Sequence, residues 1–281
     1  MTFTYTTIKI YLVSRIKIPQ QTGKKIFAFD LDGTLFRSDK SISDRALNTI
    51  NQLAKQGHLI AIATARPPRD IARLVPANLL CHYLICYNGA QVFKGTAKIF
   101  DQSIHPELAY KLIGQLASYQ STLFIGVESQ DTFHVNQSPQ PLFGEVIHTL
   151  TAFTNPNHPV FQEGITKIIC GGEASILDSL PIGPLADICS VSHTDNGLII
   201  QVMAYGVSKW VALEQIAREQ GVAIENLVAF GDDHNDLAML TSCGVGVAMA
   251  NATPSLLEVA RYVTKSNDED GVTLFLEANY L

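Results

Sequence analysis

The chain has 281 residues, 47% hydrophobic and 16% charged, which suits one large or two medium globular domains and excludes a disordered or fibrous chain. A net charge of -6 argues against a polyanion-binding surface, and so against nucleic acid as a partner. No run of about 18 apolar residues predicts a membrane span, and five cysteines (Cys81, Cys86, Cys170, Cys189, Cys243) without a CxxC pair read as free thiols of a reducing cytoplasm.

Residues 1–24 form an extension to which no function is assigned. Ile8, Ile10 and Leu12 alternate as in a strand, but Lys9, Arg15 and Lys17 break the apolar character and no small-residue cleavage site follows, so no secretory signal is expected. Ile26, Phe27, Ala28 and Phe29 then run into Asp30, with Asp32, Gly33 and Thr34 close behind. Buried carboxylates are costly without a positive partner. This strand therefore ends either at solvent or beside a cation.

Ser43 is a helix N-cap, Ile42 and Leu47 have the spacing of a hydrophobic staple, and Gly57 is a stop. Between them Leu47, Ile50, Leu53 and Ala54 form a helical stripe. LIAIA (59–63) reads as a buried strand ending at Thr64, Ala65 and Arg66, and PPRDIARLV as a helix with prolines in its first turn. YLICY (83–87) is a third strand, ending at Asn88, Gly89 and Ala90. Strands apolar on both faces, alternating with helices, predict a parallel sheet covered on two sides.

From 102 to 205 the texture changes. Helical PELAYKLIGQLASY mixes with strand-like STLFIGVES, ITKIICGG and GLIIQVMA, separated by the polar stretches NQSPQPLFGE and TNPNHP, which predicts an inserted α+β domain. The first pattern then resumes. SKWVALEQIAREQG is a helix with Trp210, Leu213, Ile216 and Ala217 on one side, and NLVAF (226–230) is a strand ending in GDDHND. LAMLTSCG (helix), VGVAM (strand), TPSLLEVARYV (helix) and a helical TLFLEANYL follow. One discontinuous domain thus takes residues 25–101 and 206–281 around an insert at 102–205.

Ligands of an open parallel sheet bind beyond the carboxyl ends of its strands. Asp30, Asp32, Thr64, Asp232, Asp233, Asn235 and Asp236 fall there, with Lys209 at a helix start, where a cation opposes the helix dipole. Converging carboxylates repel, and a hard divalent cation relieves them. Oxygen ligands without a soft-ligand cluster suit Mg²⁺ with a substrate phosphate better than zinc.

DLDGT, Thr64 after an apolar strand, GVSK (206–209) and GDDHNDLAML (231–240), in this order, resemble the haloacid dehalogenase superfamily. NGA (88–90) and the insert of about a hundred residues before Lys209 resemble its Cof-type subfamily, class IIB with a large α+β cap; the likeness covers about residues 25–281. It implies an α/β fold: a Rossmann-like, doubly wound parallel-sheet core with the α+β cap inserted. It implies Asp30 as the nucleophile that becomes an aspartyl phosphate. Asp32 would be the acid and then the base, with its main-chain carbonyl on Mg²⁺. Thr64 would hydrogen-bond the phosphoryl group, and Lys209 would neutralise its charge and orient Asp30. Asp232 would bind Mg²⁺ directly and Asp236 from behind or through water, so the metal set is Asp30, Asp32, Asp232 and Asp236. Gly33, Thr34, Ala65, Arg66, Asn88 and Asn235 would line the phosphate site.

Asp233 reads as a helix cap or a bystander and His234 as a loop residue, while His82 and His134 have no assigned partner. Trp210 stands where the family often has glycine, and is expected to fill space against the cap or the substrate pocket. The expected function is that of a Mg²⁺-dependent phosphatase acting on a small phosphorylated metabolite, such as a sugar phosphate, with no nucleic-acid or membrane partner. Asp32 favours ester hydrolysis over dehalogenation. A phosphomutase and a non-catalytic phosphate-binding regulator are the alternatives, and the filled catalytic positions argue against the second.

Overall fold

The computed structural model describes residues 23–119, 123–137, 148–149, 159–180, 182–194 and 198–281. The alternation at Ile8, Ile10 and Leu12, the stretch TNPNHP up to residue 158, and most of NQSPQPLFGE lie outside the described residues. In chain order come β1 (Ile26–Phe29), α1 (Asp44–Lys55), β2 (Leu59–Ala63), α2 (Pro68–Leu74), β3 (Tyr83–Cys86), β4 (Gln91–Lys94) and β5 (Ala97–Asp101). Next are α3 (Pro106–Tyr119), β6 (Phe124–Ser129), β7 (Thr132–Val135), β8 (His148–Thr149), β9 (Lys167–Gly171), α4 (Ala174–Asp178), α5 (Ile182–Ala186), β10 (Cys189–Thr194) and β11 (Ile199–Ala204). The chain ends with α6 (Lys209–Glu219), β12 (Leu227–Gly231), α7 (Leu237–Ser242), β13 (Val245–Ala248), α8 (Pro254–Val259), β14 (Tyr262–Val263) and α9 (Gly271–Tyr280).

Two sheets result. The larger has the order β14-β13-β12-β1-β2-β3-β4-β5, the smaller β10-β11-β9-β6-β7-β8. In the larger, β14 through β3 run parallel, and β1 sits between β12 and β2 with Phe29 opposite both Phe230 and Ile62. All four residues of β1 are buried. Phe27 and Phe29 enter the apolar cluster with α1 and α9; Ile26 and Ala28 enter the opposite cluster with α6, α7 and α8. Strands buried on both faces need this continuous apolar run. Because the neighbours of β1 are parallel to it, the carboxyl ends of β1, β2 and β12 finish on one edge.

The local signals of α1 hold. Ser43 accepts from the Ala46 N–H at 3.0 Å, and Gly57 follows the helix at φ +90°.

The structure corrects three expectations. Residues 91–101, to which no element had been assigned, form β4 and β5, which extend the sheet antiparallel beyond β3. They are short and turn tightly at Gly95, so they carry little periodicity. The helix over TPSLLEVARYV stops at Val259, and Tyr262 and Val263 pair with Val247 and Ala248 as an edge strand, as an aromatic and a β-branched residue favour. In the smaller sheet, β7, β8 and β10 join the three strands expected from sequence.

Alternation gives the smaller sheet two unlike faces. Ile125, Val127, Ile168, Cys170, Ile200 and Val202 pack in one cluster with α3. The other face carries Phe124, Phe133, Ile169 and Ile199 together with Glu128, Lys167 and Gln201, and those three polar residues contact the loops that follow β2 and β3.

Candidate active site

Asp30 follows β1, and its N–H continues the ladder to the Phe230 carbonyl at 3.1 Å. Its Oδ1 accepts from Lys209 Nζ at 2.7 Å. Lys209 opens α6 after Ser208, whose side chain caps the helix, and it has no solvent exposure. A cation there opposes the helix dipole. Two carboxylates compensate, since Lys209 Nζ also donates to Asp236 Oδ1 at 2.7 Å. The other oxygen of Asp236 accepts from the N–H groups of Asp232 and Asp233 at 3.0 and 3.2 Å. Asp236 is thus a buried strut that shapes the GDDHND turn around the lysine.

Asp232 completes the group. Its Oδ1 accepts from Thr34 Oγ1 at 2.7 Å. Gly33 makes the approach possible: at φ +76°, a Cβ there would lie 2.2 Å from Asp232 Oδ2. Carboxylate oxygens of Asp30, Asp232 and Asp236 lie within 4.8 Å of one another. Three carboxylates face one ammonium. Burial pushes the Asp30 carboxyl well above its ordinary value, against the pull of Lys209, and the neighbouring carboxylates add to the rise. Burial and the Asp236 charge push Asp232 up to about 7. Burial would lower Lys209, but Asp236 and Asp30 outweigh it and hold the ammonium above its ordinary value. A surplus of hard oxygen charge in a small space, at Asp30, Asp232 and Asp236, could hold a divalent metal ion.

Asp32 stands apart from that trio. Arg66 grips it bidentately at 2.6 and 2.7 Å, and Lys40 donates to it at 2.8 Å. Burial favours its neutral form, but Arg66 and Lys40 outweigh burial and lower its pKa. Thr64 follows β2 and is buried; its Oγ1 accepts from the Arg66 N–H at 3.1 Å. It does not cap α2, whose N-cap is Pro67. The Ala65 carbonyl accepts from Lys167 Nζ of β9 at 2.9 Å. Asn88, buried after β3, accepts at Oδ1 from Asn235 Nδ2 at 2.9 Å.

The fold thus gathers Asp30, Thr34, Lys209, Asp232 and Asp236 in one bonded group. It links Asn88 to Asn235, and Asp32 to Arg66. Asp233 caps the turn at His234–Asp236 in a capping box, whereas Asn235 points to Asn88 and caps nothing. His234 is exposed and lies 3.3 Å from Ser255 Oγ, while His82 Nδ1 accepts from the Ile60 N–H. Trp210, partly buried like Phe100, packs against the cluster that holds the inner side of α6, on the larger sheet's side.

Sequence reasoning missed Lys40, Arg69, Glu128, Lys167 and Gln201. Arg69 pairs bidentately with Glu128 at 2.8 and 2.9 Å and meets Asp131 at 3.1 Å. The Tyr87 hydroxyl lies 3.3 Å from Glu128 and 3.2 Å from Asp131. Glu128 and Lys167 did leave a signal: each is a lone charge in an otherwise apolar strand, and both are buried.

Residues 27–276 match the family model described as haloacid dehalogenase-like hydrolase. The chain is 28% identical over 266 residues to 5-amino-6-(5-phospho-D-ribitylamino)uracil phosphatase YitU of Bacillus subtilis, covering 92% of this chain and 98% of that protein. It is 28% identical to the HMP-PP phosphatase of Yersinia pestis, over 83% of this chain and 86% of that one. Among solved structures it resembles the HAD subclass IIB sugar phosphatase BT4131, at TM-score 0.75 and 25% identity over 90% of this chain and 98% of that one.

Proposed function

The chain belongs to the haloacid dehalogenase-like hydrolases and is a phosphatase, and from that premise we propose that it hydrolyses a small phosphomonoester with Mg²⁺ through an aspartyl phosphate on Asp30. The observation that carries this reading is the Lys209 ammonium, buried and bonded at 2.7 Å to both Asp30 and Asp236. A buried ion group of this kind stabilises a fold poorly compared with apolar residues, so a chemical task explains it better.

Lys209 pulls Asp30 toward its ionised form against burial and aims one oxygen, leaving Oδ2 without a hydrogen bond among the described residues. Asp30 attacks phosphorus, an O–P bond forms, and the bond to the leaving oxygen breaks. Asp32 gives its proton to that oxygen. It then takes one from water, which attacks phosphorus and releases Asp30. For Asp32 to act as an acid, the leaving oxygen must replace the Arg66 and Lys40 contacts that now keep its proton off. Thr64, Arg66, Asn88 and Asn235 supply donors around the phosphoryl group, with backbone from Gly33 and Ala65, while Thr34 beside them spends its hydroxyl proton on Asp232. Mg²⁺, which Asp30, Asp232 and the Asp32 carbonyl would hold with Asp236 behind them, would lower the repulsion between anionic nucleophile and anionic phosphate.

Residues 25–101 and 206–281 form the catalytic core and 102–205 the cap, a division supported by the separate sheet of β6–β11. The cap closes over the site and selects small substrates; sugar phosphates come first, by the likeness to a sugar phosphatase. The five cysteines are all free thiols, which supports a cytoplasmic setting.

The test is hydrolysis of p-nitrophenyl phosphate. Activity with Mg²⁺, and its loss in EDTA and in Asp30→Asn, are expected. Turnover by Asp30→Asn, or full activity in EDTA, overturns the mechanism.

A further inference from the structure

A polar chain crosses from the smaller sheet into the acidic loop. Gln201 Nε2 donates to Thr194 Oγ1 at 3.0 Å, and Gln201 Oε1 accepts from Asn88 Nδ2 at 3.0 Å. Asn88 Oδ1 in turn accepts from Asn235 Nδ2 at 2.9 Å. Thr194, Gln201 and Asn88 are all buried. Each carboxamide uses its nitrogen in one direction and its oxygen in the other, so no member of the chain can turn alone without setting like groups against each other. Asn235 lies between Asp232 and Asp236 in sequence, and is therefore part of the loop that holds two of the three clustered carboxylates.

The middle link is mechanically delicate. Tyr87, Asn88 and Gly89 have successive φ values of 51°, 56° and 109°. Left-handed backbone is strained for a non-glycine residue, though asparagine tolerates it best. A Cβ on Gly89 would meet the Ser208 carbonyl at 2.3 Å, so this turn is seated against the start of α6, beside Lys209. An Asn88 amide turned by 180° would set its NH₂ against the donating NH₂ of Asn235. Gln201 prevents that turn, because its Oε1 accepts only from the Asn88 nitrogen.

We propose that Gln201 is a positioning residue: with the cap down on the core, it fixes the Asn88 carboxamide and through it Asn235, so that the acidic loop is ordered for phosphoryl transfer only when the cap is closed. When the cap lifts, Gln201 leaves with β11 and Asn88 loses the partner that sets its orientation. This rests on the phosphatase reading of the site.

Thr194 tests the proposal, because it touches neither Asn88 nor Asn235 yet anchors Gln201. In Thr194→Val, kcat for p-nitrophenyl phosphate is expected to fall about five- to tenfold, as small misplacement of a positioned group does, with KM within about twofold. Thr194→Ser restores it. In a cycle with Asn235→Ala, the second substitution is expected to add little, whereas independent sites would add. Gln201→Met provides the same test should Thr194→Val fold poorly. Wild-type kcat in both Thr194→Val and Gln201→Met, or an additive cycle, overturns the proposal. Should the wild-type protein itself release no phosphate, the phosphatase reading fails alone. The side-chain amide NMR signals of Asn235 then decide the chain. They are expected to shift in Thr194→Val and not in Thr194→Ser, and unmoved signals overturn it.

Discussion

Two of the buried lysines, Lys209 in the core and Lys167 in the cap, are a controlled contrast. Both lie in the interior, one at the start of a helix and the other in a strand. Lys209 bonds two carboxylates and its ammonium is held above the ordinary value. Lys167 bonds a backbone carbonyl, and burial pushes it down to about 8 despite the nearby Glu128. The same side chain is a fixed charge in one place and an easily discharged one in the other. The core invests in permanent charge around the reaction, while the cap touches the core through contacts that can be given up.

This contrast can be broken in several ways, from the largest effect to the smallest. Asp30→Asn should lower phosphate release by at least about 10⁴-fold, the scale seen when a nucleophile is removed. Lys209→Met leaves Asp30 and Asp236 buried without a counter-charge; urea unfolding of the metal-free protein should show a loss of about 3–5 kcal/mol. Lys167→Met should cost under about 1 kcal/mol by the same measurement, near that of one ordinary hydrogen bond. If the two lysine variants lose equal stability, the contrast is wrong.

Arg69→Met separates cap from core. It leaves Glu128 buried beside Asp131, and the β6–β7 turn of the cap should become more open to limited proteolysis, with core stability changed by about 2 kcal/mol or less.

The pH dependence sharpens the contrast further. Asp232 is raised in the folded state to about 7, so the metal-free fold keeps the benefit of its proton below the unfolded value and loses it as pH rises through 7. Mg²⁺ replaces that proton. The gain in Tm on adding Mg²⁺ should therefore be larger at pH 8 than at pH 5. Lys167 has the opposite sense. Its folded value is lowered from 10.5 to about 8, so the unfolded chain binds more protons between those values and the wild-type protein should gain stability over Lys167→Met as pH rises through that window.

The core was legible because its signals are long or chemically loud. IFAFD, LIAIA and NLVAFGDD are apolar runs ending in functional groups, and parallel pairing brings those ends together. Thr34 and Gly33 followed from the motif, and their contact with Asp232 gives the reason for both residue types. The short strands β4, β5 and β14 were not legible, because two to five residues carry too little period to compete with helix or loop. The cap's contribution was hidden for another reason. Gln201 and Thr194 have meaning only through Asn88, more than a hundred residues away in the chain, and no local pattern reports such a pairing. The packing of Trp210 was not legible, because the motif position told of the lysine beside it and not of the side of α6 it occupies.

The central position of β1 also sets an order of events in synthesis. Its partner β2 begins 33 positions after it, whereas Ile26 meets Leu227 only after the whole cap and α6 have been made. Until then one edge of an apolar strand stands open, and Asp30 has neither Lys209 nor Asp236 beside it. An open apolar edge invites pairing with other chains, and distant pairings close slowly. The nascent protein therefore passes through a stage in which its future nucleophile is a lone carboxylate at the end of a sticky strand. That vulnerability ends when the last third of the chain delivers the counter-charge and the missing neighbour together.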